Sequence, residues 1–240
     1  MDQFEREALL IGREGIEKLR SARVALFGIG GVGGYVAEAL IRCGVGSLDF
    51  YDNDRVSLSN LNRQLIALHS TVGRDKADVM TERLRDIYPD ARIAGHKLFY
   101  LPEEAGKIDF SSFDYIADAI DTVAAKLDIA EKAYRLGIPL ISAMGAGNRL
   151  DPTQFRVGDI YETENCPLAR VMRRELRKRG IPALKVVYSV EPAITPQGEG
   201  SQETSRRAVP GSIAFVPPVM GLIMASVIVR DIIGEKGAKP

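Results

Sequence analysis

A doubly wound α/β sheet, parallel in its first half and mixed or antiparallel in its second, is the fold this 240-residue chain predicts. Three observations carry it. Short apolar runs of β type alternate with helical periodicity from Val24 to Ala143. The first run ends in Gly28-x-Gly30-x-x-Gly33 and leads into an apolar-periodic helix, after which a second strand delivers Asp52 at its carboxyl end. From Asp151 the alternation breaks, and FRVGDI and KVVYSV flank a helix, so these later strands are not all expected to be parallel. With 45% hydrophobic residues the chain can bury a sizeable core as one domain.

In order, residues 1–20 form an amino-terminal arm, with Phe4, Ala8, Leu9, Ile16 and Leu19 among charges: helical pieces lying on the domain. Residues 21–150 form the half that holds the glycine motif. There a polar loop after Asp52 leads into an amphipathic helix with Ala77, Met80, Leu84 and Ile87 at helical spacing, ended by Pro89. Strands are predicted at Arg92–Leu98, Tyr115–Ala119 and Pro139–Ala143, with a helix over Thr122–Leu136 between the last two. Residues 151–240 form a substrate-side half. Its helix, CPLARVMRRELRKRG, sets an apolar stripe of Leu168, Met172 and Leu176 under a basic face. Residues 191–211, with three prolines, three glycines and few apolar side chains, have the composition of a mobile surface loop. The apolar run Phe215–Val229 holds two prolines and a glycine and is cut off by Arg230 and Asp231. It falls short of the roughly 18 residues of a membrane span and reads as a buried helix.

Lys plus Arg equals Asp plus Glu at 32 each, so no global field advertises a polyanion, and a nucleic-acid contact must come from a local patch. No feature suggests DNA. Two cysteines, Cys43 and Cys166, make neither a four-ligand zinc site nor a disulfide framework, which fits a reducing cytoplasm. The terminus MDQFEREALL lacks the apolar stretch of a signal peptide.

Gly28 permits a tight turn, Gly30 and Gly31 leave room for a ligand against the backbone, and Gly33 lets the helix close on the strand. The carboxylate of Asp52 can accept both ribose hydroxyls, so this Rossmann-like half is expected to bind an adenosine nucleotide. Dehydrogenases share that fingerprint, but the residues beyond Asp52 separate this chain from them. Asn60 and Arg63 lie in SNLNRQ, Lys76 opens a helix after VGRD, and Asp121 comes after a strand in DAIDT. Hydride transfer needs no such cations. A carboxylate approaching an α-phosphoryl group meets like charge, which Arg63 and Lys76 can offset as charge builds on the oxygens. Asp121 is suited to hold Mg²⁺, a hard ion that favours oxygen ligands. Asp54 is open between a metal or phosphate role and a loop cap.

At these residues a family is identifiable. GxGGxG followed by DxDxVxxSNLNRQ, VGxxK and DAxD resembles the adenylating enzymes related to ubiquitin activators, including the bacterial molybdopterin- and thiamine-pathway activators. The resemblance implies ATP and Mg²⁺ as cofactors. It also implies Asp52 on the ribose, Asn60, Arg63 and Lys76 on phosphates, Asp121 on magnesium, and Arg6 lent in trans to the partner's ATP site of a homodimer. A second set, MGAGNRLDPTQFRVGDIYETENCPLARVMRRELRKRGI with VVYSVE and GSIAFVPPVMGLI, is similar to the tRNA threonylcarbamoyladenosine dehydratase branch. That implies ATP-dependent activation of the threonylcarbamoyl carboxylate at adenosine 37 of tRNA and closure of a ring, with tRNA as partner. The runner-up is an activator of a ubiquitin-like sulfur carrier. The chain lacks the paired CxxC zinc motifs of many such activators, and a sulfur-relay or cysteine desulfurase partner is kept only as an expectation. A nucleotide-gated tRNA-binding scaffold is the reading from another class.

A nucleophile within the substrate needs no enzyme thiol, so the lack of an obvious catalytic cysteine is consistent with that chemistry. Arg170, Arg173, Arg174, Arg177, Lys178 and Arg179, against the single Glu175, offer tRNA phosphates a local footing. Cys166 precedes Pro167 at a helix start and reads as a small buried residue, and Cys43 as core. His69 and His96 read as structural. Arg149 either faces substrate or pairs with Asp151.

Overall fold

A computed structural model describes residues 2–195 and 210–234; the expectation of a mobile loop over 191–211 therefore lies largely outside the described residues. A seven-stranded sheet organises the chain. Its strands are β1 (Arg23–Phe27), β2 (Ser47–Tyr51), β3 (Arg92–His96), β4 (Tyr115–Asp118), β5 (Leu140–Ala143), β6 (Phe155–Asp159) and β7 (Lys185–Ser189). They lie in the order β3-β2-β1-β4-β5-β7-β6. Every pairing is parallel except β6–β7, so the mixed character of the second half comes down to one antiparallel edge strand.

Among the described residues six α-helices cover the two faces: α1 (Glu5–Ser21), α2 (Gly33–Arg42), α3 (Lys76–Ile87), α4 (Val123–Leu136), α5 (Pro167–Lys178) and α6 (Val216–Ile233). The strand period of two sorts the core. Val24 and Leu26 of β1 face one cluster with Leu40, Met80 and Met224, whereas Ala25 and Phe27 face the other with Ile116 and Ile129. A third cluster seats α5 through Ala169, Met172 and Leu176. Its stripe begins at Ala169 rather than at Leu168, which is only partly buried.

The arm is helical in two pieces, merged across a kink at Gly12, whose φ of 72° no ordinary helix residue adopts. The long apolar helix α6 passes a length and composition test for a membrane span, yet packs as core. A Cβ on Gly221 would lie 2.4 Å from the Val32 carbonyl oxygen, so α6 and the start of α2 touch backbone to side. The helix also does not stop at Arg230 and Asp231. It runs on to Ile233, because Asp231 accepts from the Tyr115 hydroxyl at 2.7 Å and pairs with Lys185 at 2.5 Å.

Candidate active site

Open parallel sheets bind ligands where neighbouring strands send their connections to opposite faces, at the carboxyl ends. Here that point lies between β1 and β4. A cleft of about 650 Å³ opens there, lined by the glycine turn, the β2 end, the 57–64 loop, Lys76, the β4–α4 turn and residues 210–212.

Gly28 holds φ at 83°, and a Cβ on Gly33 would fall 1.8 Å from the Gly28 carbonyl oxygen, so neither position accepts a side chain. At Gly30 a Cβ would meet nothing nearer than Gln64 at 3.8 Å; the space beside it belongs to the cleft. Asp52 is held at both carboxylate oxygens, accepting from the Ile29 N–H at 2.9 Å and from the Asp54 N–H at 2.9 Å. Each oxygen keeps a lone pair for a ribose hydroxyl.

Asn60 ends a 3₁₀ turn (Leu58–Asn60) and is buried, its Oδ1 accepting from the Ser57 N–H at 3.1 Å, which leaves its NH₂ available. Arg63 comes next, its guanidinium donating to the Ser59 carbonyl at 2.9 Å and to Asn62 Oδ1 at 2.8 Å. Lys76 is 4% exposed at the first position of α3 and donates to Asp54 Oδ2 at 2.7 Å. Asp54 therefore holds the lysine, and its backbone carbonyl accepts the Lys76 N–H at 2.9 Å; it also lines the cleft, so both roles expected of it are compatible with its position. Asp121 stands exposed on the cleft wall, and no hydrogen bond or ion pair among the described residues engages its carboxylate. No group of three metal-ligating side chains occurs among the described residues. One carboxylate beside a phosphate site is still a fitting donor set for Mg²⁺, which keeps waters and takes its other ligands from phosphates.

Sequence reasoning missed several wall residues. Leu98, Phe99 and Tyr100 give the cleft an apolar side where a base can lie. Tyr51 is also there, its phenol pushed up to about 12 by burial and by Asp49. Gln64 lines the cleft while buried, its Oε1 without a partner among the described residues. Across the cleft, Asn62 Nδ2 donates to the Ser212 carbonyl at 2.9 Å. Asn148, at φ 57°, exchanges backbone and side-chain bonds with Gly211 and accepts from the Ile194 N–H at 2.9 Å. Arg149 neither faces the cleft nor pairs with Asp151. It is 4% exposed and donates to the backbone carbonyls of Asn165, at 2.8 Å, and Glu191.

The basic helix is less uniform than its sequence. Arg173 turns inward to donate to the Thr163 carbonyl at 2.7 Å, which removes it from the exposed face. Arg174, Lys178 and Arg179 surround Glu175, and their hydrogen bonds, Lys178 first, hold its carboxyl down at about 2. Arg177 lies over the Tyr161 ring at 5.0 Å, and Arg170 is exposed. Cys166 is buried, and burial together with Glu7 pushes the Cys43 thiol up to about 12. His96 stacks on Tyr51, and its Nε2 lies 3.2 Å from Asp49 Oδ1.

Arg63 and Lys76 line one cleft at the carboxyl end of a Rossmann-like sheet, the arrangement expected of an ATP-dependent adenylating enzyme. The chain belongs to the ThiF family, whose profile matches residues 4–240. A tRNA threonylcarbamoyladenosine dehydratase of Bacillus subtilis is 42% identical over 98% of this chain and 96% of its own length. The Escherichia coli tRNA N6-threonylcarbamoyladenosine dehydratase, TcdA, in crystal structures with AMP and with ATP, superimposes with a TM-score of 0.88 at 32% identity. Each of those matches covers 97% of this chain and 94% of that one. An Aspergillus terreus adenylyltransferase and sulfurtransferase, uba4, is 41% identical over 133 residues, which is 55% of this chain and 27% of that protein.

Proposed function

We propose that the protein uses ATP to activate the carboxylate of the threonylcarbamoyl group on adenosine 37 of tRNA and promotes its cyclisation. The observation that carries this reading is likeness to the dehydratases along nearly the whole chain, substrate-side half included. The carboxylate oxygen attacks the α-phosphorus and pyrophosphate leaves, giving an acyl-adenylate. An atom of the same modified side chain then attacks the acyl carbon and AMP leaves, so the nucleoside loses one water in total. Asp52 holds the ribose, while Arg63, Lys76 and the Asn60 amide offset charge on the phosphoryl oxygens as two anions meet. Mg²⁺, held by Asp121, would neutralise the departing pyrophosphate. The exposed cations of α5 give tRNA its footing.

A homodimer belongs to the same reading. Arg6 is exposed on α1 beside Leu9 and Leu10, which are 86% and 85% exposed, a surface suited to a second copy that would receive Arg6 at its ATP site. The site of action is the cytoplasm, where tRNA is modified. The sulfur-carrier reading draws on uba4, whose likeness stops at about half of this chain, and a sulfur-relay partner belongs to that alternative alone.

Incubation with ATP, Mg²⁺ and tRNA carrying the threonylcarbamoyl group is expected to yield AMP, pyrophosphate and a nucleoside lighter by one water. ADP as the product would exclude adenylation. Tight tRNA binding without turnover would leave a scaffold. Adenylation of a diglycine-ended carrier protein in place of tRNA would establish the runner-up.

A further inference from the structure

Beneath the turn that carries Asp121 sits a polar cluster that does not line the cleft. Asp118, at the end of β4, is 1% exposed; Lys126 on α4 and Ser142 on β5 are fully buried. Lys126 Nζ donates to Asp118 Oδ2 at 2.8 Å and to Ser142 Oγ at 3.2 Å, and the Ser142 hydroxyl donates to the same Oδ2 at 2.6 Å. The remaining oxygen, Asp118 Oδ1, accepts from the Ile120 N–H at 3.2 Å.

Stability alone does not account for this cluster. Desolvating two charges costs about what their attraction returns, and well-packed apolar side chains of similar volume often serve as well or better. A carboxylate does one thing an apolar side chain cannot: it holds the Ile120 amide. Ala119 and Ile120 form a turn pressed on the glycine loop, where a Cβ on Gly28 would lie 3.0 Å from both the Ala119 oxygen and Ile120 Cγ2. Asp121 is the next residue, on the cleft wall.

We propose that Asp118, Lys126 and Ser142 are positioning residues for Asp121. Lys126 and Ser142 fix one oxygen of Asp118 so that the other fixes the β4–α4 turn, which aims the Asp121 carboxylate at the nucleotide. The inference rests on the magnesium role proposed above for Asp121, and partners that orient a ligating carboxylate commonly govern metal affinity by about 10- to 100-fold.

The test is calorimetric titration of the full-length protein with ATP, with and without Mg²⁺, beside thermal melts. The double variant D118L/K126M removes both charges together and is expected to fold but to melt below the parent, because the Ser142 hydroxyl and the Ile120 amide lose their partner. Its ATP affinity in Mg²⁺ should fall about tenfold, with magnesium-free affinity unchanged, and Asp121→Asn should reproduce that loss. Equal losses in both conditions, or no loss, while Asp121→Asn still loses magnesium dependence, would overturn the positioning role. Magnesium dependence unaltered in Asp121→Asn would remove the metal role first, and the positioning role with it. Should D118L/K126M fail to fold, Ser142→Ala takes its place: one of two donors to Asp118 Oδ2 is gone while Lys126 remains, and magnesium-dependent affinity should drop by about threefold, less than the full loss. An unchanged value there would refute the inference.

Discussion

Lys76→Met isolates the electrostatic contribution to phosphoryl attack, because it removes a charge and little else. The Lys76 side chain is 5% exposed, so the methionine stem remains buried in its place. Its partner Asp54 is 64% exposed and is rehydrated when the ammonium goes; a pair with so open a partner contributes about 0–1 kcal/mol to folding. The cost in catalysis is larger. Loss of one donor aimed at developing charge in a shielded site lowers turnover by about 10²–10³, or roughly 2.7–4 kcal/mol. The ammonium is paired with Asp54, so phosphate exchanges one anion for another and ground-state ATP affinity should change less than turnover. Initial rates of pyrophosphate release measure the first quantity and calorimetry the second. A loss below about threefold, well outside that range, with an unchanged melting temperature, would remove Lys76 from the phosphate role.

Reversing charge at Arg170, Arg174, Arg177 and Lys178 should weaken tRNA binding and reduce its salt slope by about 1 for each phosphate no longer neutralised, with calorimetric ATP affinity spared. Arg173→Gln, by contrast, should lower thermal stability by about 1–3 kcal/mol through the stranded Thr163 carbonyl and leave the salt slope intact. Glu175 has a folded pKa of about 2 against an ordinary 4.5, so its stabilising contribution is complete above about 4.5 and is lost as pH falls towards 2. Melts across that window should show a decline of which Glu175→Gln removes a part, Glu38 and Asp49, whose carboxyls despite burial are also held down by their arginine partners, keeping the rest. At pH 8 a thiol raised to about 12 is neutral, so Cys43 should resist alkylation in the native protein, measured by mass spectrometry, and Cys166→Ala should leave turnover unchanged.

The nucleotide half is legible in the sequence because its chemistry is local. Gly28 to Gly33, Asp52, Asn60 and Arg63 succeed one another along a strand, a turn and a loop, and backbone geometry alone brings them to the carboxyl end of the sheet. Element boundaries differ by a residue or two, as at β3, which ends at His96 rather than Leu98, and α4, which starts at Val123. The hidden part depends on packing across the sheet. Lys126 reads as the polar face of an amphipathic helix and Ser142 as one hydroxyl in an apolar strand; only the packing of α4 on β4 and β5 makes them partners of Asp118. Arg149 and Arg173 escape the sequence for a related reason: a guanidinium that terminates on backbone carbonyls leaves no mark there. The antiparallel edge is foreseeable in kind from the break in alternation, though the position of β7 beside β5 is not.

Asn148 joins the chain at Ile194 to the chain at Gly211 through a single residue. Both ends of the intervening stretch are thus pinned at one spot, independently of how many residues lie between them. The Gly211–Ser212 side of the cleft is thereby tied to two separate segments, through Asn148 and through Asn62, so a change at either asparagine alone leaves it anchored at the other.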